Sequence, residues 1–112
     1  MKTYCLALDL KNDPILIEKY KQYHKQENIW PAVVENIKSM GVLSEEIYLI
    51  GTRLFMILKT TDDFSFQAKM AADHANPDMQ KWESLMWKYQ KPLPEALPGE
   101  KWVLMEKIFE IK

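Results

Sequence analysis

Apolar and polar positions along the chain change period several times, and each change marks an element. Residues Thr3 to Leu10 form a short apolar run closed by the turn sequence Lys11-Asn12-Asp13-Pro14, which predicts a first strand, buried on both faces at its centre. Asp13-Pro14 then starts a helix. An aspartate side chain accepts from the free N–H groups of a first turn, and proline at the first helical position has no N–H to lose. The spacing predicts a helix to about Asn28, broken at Trp30-Pro31 because the residue before proline is driven out of the α region. It resumes to Met40, with Trp30, Val33, Val34, Ile37 and Met40 recurring at helical spacing as one apolar face. Gly41 supplies the C-terminal stop.

Val42 to Ile50 and Leu54 to Thr60 read as two strands joined by a hairpin turn at Gly51-Thr52-Arg53. Thr61-Asp62-Asp63 offers a cap for a helical pattern over about Phe64 to Asp73, and Asn76-Pro77-Asp78 interrupts it. Met79 to Tyr89 then places Trp82, Leu85, Met86 and Tyr89 on one side of a further helix. Pro92, Pro94 and Pro98 keep the next stretch extended, and Trp102 to Ile111 is the predicted last strand. The order β-α-β-β-α-β predicts one α+β, ferredoxin-like domain over residues 1–112, an antiparallel four-stranded sheet with both helices on one face. The last strand is apolar on both alternating sets: Val103, Met105 and Phe109 on one, Trp102, Leu104 and Ile108 on the other. A sheet apolar on both faces needs a second layer, and a second copy of the chain is the simplest supplier, which predicts a homodimer.

Composition narrows the function classes. The 112 residues suffice for one core, and a formal charge of −1 leaves no basic stripe to favour nucleic acid or an anionic membrane. No apolar run approaches the ~18 residues of a membrane span. The N-terminus enters the first strand without a signal-peptide pattern, so the expected location is cytoplasmic. Cys5 is the only cysteine, expected as a small buried hydrophobe. Three scattered glycines make no phosphate loop, and no serine lies in a strained Gly-x-Ser-x-Gly turn. His24 and His74 are far apart in sequence without clustered ligands, so neither metal nor cofactor is expected, and His74 reads as a solvated loop residue.

An aromatic-polar set remains: Tyr20, His24, Trp30, Tyr48 and Trp82. On a helix Tyr20 and His24 lie one turn apart on the same face, the first able to donate or accept a hydrogen bond, the second to move a proton near neutrality. This mixture suits a sugar, whose C–H face stacks on aromatic rings while its hydroxyls need directional partners. The tryptophans equally suit plain core anchors.

Tyr20-x-x-x-His24 followed by Ile29-Trp30-Pro31, then Gly41, Ile47-Tyr48-Leu49 and Gln80-Lys81-Trp82, resembles the L-rhamnose mutarotase family over nearly the whole chain. The resemblance implies a dimeric ferredoxin-like α/β barrel that interconverts the anomers of a six-deoxy sugar. It implies His24 as the acid/base group, with Tyr20 and Trp82 holding the sugar. Glu45 stands where the family carries a sugar-contacting tyrosine and Glu83 where it carries a second tryptophan, and residues 73–77 lengthen the segment before Gln80. Both glutamates are therefore candidate substrate contacts, beside Trp30 and Tyr48, and L-fucose joins L-rhamnose as a candidate substrate. Two other readings stay open on residues alone: a small oxygenase on the same barrel, and a non-catalytic sugar-binding module.

Overall fold

The computed structural model describes all residues, 1–112. The chain runs β1 (Lys2–Leu10), α1 (Pro14–Tyr23), α2 (Pro31–Ser39), β2 (Val42–Ile50), β3 (Arg53–Thr60), α3 (Phe66–Ala75), α4 (Pro77–Met86), β4 (Gln90–Lys91) and β5 (Val103–Leu104). The sheet order is β2-β3-β1-β4, all neighbours antiparallel, with β5 also paired to β1. This is the expected α+β sheet, with each predicted helix broken in two at its proline.

Register decides which residues face the helices. Leu6, Leu8 and Leu10 on β1 lie beside Leu54, Met56 and Leu58 on β3, and all six are buried. Leu8, Leu10 and Leu54 meet Tyr20 and Val33 from the first helix pair and Met79, Trp82 and Met86 from α4, while Leu6, Met56 and Leu58 cluster with Val42 and Phe64. Burying one such leucine or methionine side chain contributes about 1.5–3 kcal/mol. On β2 the same face carries Glu45 and Ile47, opposite Leu58 and Met56. The other face presents Cys5, Phe55 and Ile57, each half-buried, and the exposed Tyr48 and Ile50. Cys5 is thus only half-buried, because odd positions of β1 point to this uncovered side.

Several boundaries differ from the pattern. Asp13 caps α1 as expected, accepting from the Ile15 and Leu16 N–H groups at 2.9 and 3.3 Å. The helix ends at Tyr23 rather than Asn28, since Lys25 to Asn28 offer no apolar face to bury. The Asn28 side-chain amide instead donates to the Gln22 carbonyl (2.8 Å), satisfying one of the carbonyls a helix end leaves free. Helix α3 starts two residues late: Phe64 is buried in the core, so the chain stays extended through it and Ser65 becomes the cap. His74 consequently sits in the last turn of α3, exposed, not in a loop. Asn76 both ends α3 and caps α4, accepting from the Met79 N–H at 3.0 Å.

Gly41 adopts φ +92° after α2, and a Cβ there would meet Thr61 Oγ1 at 2.7 Å, so only glycine joins α2 to β2 at this point. In the β2–β3 hairpin Ile50 pairs with Arg53, leaving Gly51-Thr52 as a two-residue loop in which Gly51 alone has positive φ. That is the requirement of a type II′ turn.

The last strand departs most. Val103 and Leu104 pair with Ala7 and Leu6, and the Met105 N–H donates to the Cys5 carbonyl at 2.8 Å. Residues 106–112 form no strand, and Ile108, Phe109 and Ile111 are 88, 75 and 81% exposed. The edge of β1 is instead shared with β4, two residues too short to show a period in the sequence. No helix is long and apolar enough to cross a membrane.

Candidate active site

The early end of α1 puts His24 at its C-cap, one turn beyond Tyr20. The two rings lie 4.3 Å apart between centroids. His24 Nδ1 is 2.7 Å from the Tyr20 carbonyl oxygen, which can only accept, so Nδ1 carries the proton. In the neutral ring Nε2 is then the basic nitrogen. It has no protein partner and is not fully buried. Burial pushes the imidazole below its ordinary pKa, with the Tyr20 carbonyl bond opposing, so the ring is neutral at pH 7.

Trp82 on α4 packs edge-on to the other side of His24 at 5.4 Å, and Trp30 packs on Trp82 at 5.1 Å. Both tryptophans belong to the core and also form the aromatic wall next to the imidazole. Trp30 is held there by the Pro31 break, which makes it the N-cap of α2 in extended backbone. Tyr20 is buried, and Gln90 Nε2 donates to its hydroxyl at 3.2 Å. Burial raises the Tyr20 hydroxyl pKa well above the ordinary value; the Gln90 bond opposes this, and the Glu45 and Glu83 charges add to it. The hydroxyl therefore stays protonated and serves as a donor.

Those two carboxylates mark the polar side of the cleft. Glu45 projects from β2 towards α3 and α4, within electrostatic reach of Lys69, Glu83 and Asp73. The residue as a whole is exposed, yet desolvation by the surrounding protein raises its pKa, Lys69 opposing and the two acids reinforcing. Lys69 is bound to Asp73 (2.7 Å) and Lys101 to Glu83 (2.5 Å), and Asp73 also accepts from Asn36 at 2.8 Å. Glu45 has neither an ion pair nor a side-chain hydrogen bond to the protein.

The structure therefore gathers Tyr20, His24, Trp30 and Trp82 in one contiguous set, with Glu45 and Glu83 across from Tyr20. Tyr48 does not join them. The two-residue period of β2 places it on the opposite sheet face from Glu45, 54% exposed, with its hydroxyl donating to Glu46 at 3.1 Å. Gln90, Lys69, Asp73 and Lys101 went unread in the sequence, because no local spacing links them to Tyr20 or Glu45. Two shallow depressions on the outer helical surfaces, one along α4 at Gln80, Lys81 and Ser84 and one at Gln26, Val34 and Lys38, are lined by no aromatic or histidine side chain. No three His, Cys, Asp or Glu side chains converge to hold a metal ion.

Fold and site together define the class: a small α+β protein whose helix-covered sheet bears a neutral histidine beside stacked aromatics and an untied carboxylate. The chain belongs to the L-rhamnose mutarotase family, whose family model matches residues 3–111. It is 40% identical over 111 residues to an L-fucose mutarotase of Xanthomonas campestris pv. campestris, covering 99% of this chain and 89% of that one. It is 38% identical over 114 residues to a UPF0734 protein of Dictyostelium discoideum, covering 98% and 90%. Among solved structures, an L-rhamnose mutarotase from Formosa agariphila superposes with a TM-score of 0.72 at 19% identity over the full length of both chains. The tetracenomycin F2 cyclase of Streptomyces glaucescens superposes at 0.66 with 13% identity, covering 100% of this chain and 98% of that one. These two likenesses establish the shared fold. The protein is a sugar mutarotase, an isomerase.

Proposed function

We propose that the protein interconverts the α and β anomers of a six-deoxy hexose, L-fucose or L-rhamnose, through proton transfer at His24. The observation that carries the reading is the His24 tautomer: Nδ1–H is tied to the Tyr20 carbonyl, leaving a neutral Nε2 without a protein partner beside the aromatic wall. Ring opening moves one proton from the anomeric hydroxyl to the ring oxygen as the C1–O5 bond breaks. Nε2 accepts the first and returns it to the second. The open-chain aldehyde then rotates and closes on its other face, with the same transfers reversed. A base titrating near the working pH is efficient at this, contributing ~10²–10⁴-fold.

Trp82 and Trp30 supply a surface for the sugar's C–H face, and the protonated Tyr20 hydroxyl donates to a sugar oxygen. Glu45 accepts from sugar hydroxyls, while Glu83, paired with Lys101, sets the charge of the wall. These two glutamates replace the family's aromatic contacts, and together with the fucose-named relative they favour L-fucose as the faster substrate.

The active form in this reading is a homodimer. Support comes from the half-apolar open face of Phe55, Ile57 and Tyr48 and from the exposed Ile108, Phe109 and Ile111 of the strandless tail 106–112, both of which a second copy would cover. Tyr48 then contributes to that interface and not to sugar contact within its own protomer. A cytoplasmic location completes the reading.

Anomeric exchange by saturation-transfer NMR, with L-fucose and L-rhamnose side by side, tests the proposal. Acceleration of either sugar, faster for L-fucose, is the expected result. Saturable sugar binding without acceleration would leave a binding module and end the catalytic reading.

A further inference from the structure

One side-chain atom in the protein is buried without any hydrogen-bond partner: Oε1 of Gln90. Gln90 lies on β4 opposite Leu10, on the helix side of the sheet, and is only 3% exposed. Its Nε2 donates to the Tyr20 hydroxyl at 3.2 Å. An amide has a donating and an accepting end, and a phenol can play either part. With Oε1 turned to Tyr20, the tyrosine proton would be consumed by the amide. With Nε2 turned to it, the tyrosine oxygen is the acceptor and its own proton remains free, while Oε1 is left unpaired. An unpaired buried oxygen weakens a fold, and an apolar side chain of the same length would avoid that loss. Packing alone therefore gives no reason for an amide at this position.

The same tyrosine holds His24 in two other ways, through its carbonyl on Nδ1 and its ring at 4.3 Å. Gln90 thus fixes the far end of the side chain against which the imidazole is set. We propose that Gln90 is a positioning residue for the proton transfer, keeping the Tyr20 hydroxyl oriented to donate to a sugar oxygen beside His24. The inference rests on the mutarotase reading above.

Gln90→Met fills nearly the same volume without an amide. The expected result is a ~10-fold loss of kcat for anomeric exchange, KM within about threefold of wild type, and a Tm equal to or above wild type. In a Tyr20→Phe background the same change should alter exchange less than about twofold, because there is no hydroxyl left to orient. A second variant guards against misfolding. The carboxyl of Gln90→Glu can donate to Tyr20 only while protonated, and burial keeps its pKa high. Its exchange relative to wild type should therefore rise as pH falls from 8 to 6. Unchanged kcat in Gln90→Met, a loss that persists undiminished in Tyr20→Phe, or a pH-independent Gln90→Glu ratio would each overturn the proposal. Absence of exchange in the wild type would overturn the mutarotase reading and this inference with it.

Discussion

Replacing His24 by asparagine separates its chemistry from its place in the fold. Asn Nδ2 is attached to Cγ as His Nδ1 is, so it can keep donating to the Tyr20 carbonyl that now receives the 2.7 Å bond. What disappears is the basic Nε2 and the ring between Tyr20 and Trp82. Loss of general acid/base transfer predicts a fall of ~10²–10⁴ in exchange. At about 1.36 kcal/mol per tenfold, that is about 2.7–5.4 kcal/mol of barrier. Loss of the two ring contacts, at 4.3 and 5.4 Å, removes about 0.5–1.5 kcal/mol each. With about 4–8 °C of Tm per kcal/mol in a small domain, melting should drop by roughly 4–24 °C and the protein should remain folded at 25 °C. Saturation-transfer rates at matched sugar concentrations, beside circular dichroism and a melting curve, measure both effects. A folded His24→Asn protein whose exchange stays within tenfold of wild type would show that the imidazole is not the proton carrier.

Three further outcomes follow from the structure. Because burial lowers the His24 pKa, exchange should hold steady through neutrality and fall on the acid side with a midpoint below the ordinary 6.5; a midpoint above 6.5 contradicts a buried neutral base. The linked stability has a defined sign: the unfolded chain binds this proton more readily, so the contribution is complete above the unfolded value of 6.5 and is lost as pH falls through the lowered folded value, an effect absent in His24→Asn. Removing residues 106–112 should convert a dimer at micromolar concentration to a monomer in analytical ultracentrifugation, with Tm lower by several degrees; a wild-type monomer at the same concentration defeats the homodimer.

Local chemistry was enough for much of the molecule. Alternating and helical periods, Asp13-Pro14, Trp30-Pro31, Gly41 and Asn76-Pro77 fixed the order of elements from β1 to α4 and the two helix breaks, since each acts through its own backbone and its nearest neighbours. The Tyr20/His24 pair was legible for the same reason: residues one turn apart must meet. The family motif around them carried the function further than spacing could. Helix ends were less legible where two local signals competed, as at Asn28, whose side chain ends the helix from outside it.

Long-range geometry decided the rest. Tyr48 and Glu45 are three residues apart on one strand, so the strand period puts them on opposite faces, and the β2–β3 register decides that Glu45 shares the helix side with Leu58 and Tyr48 the open side with Phe55. Gln90 meets Tyr20 from 70 residues away, and Lys101 meets Glu83 from 18. Neither partnership has a local pattern, because each depends on where β1 and α4 bring the chain. The His24 tautomer, the untied Glu45 and the unpaired Gln90 oxygen are likewise properties of packed neighbours. Sequence alone determined which groups able to move a proton and stack on a sugar the chain possesses; the tertiary fold decided which of them face one another and in which protonation state, since hydrogen bonding and desolvation are set by neighbours distant along the chain.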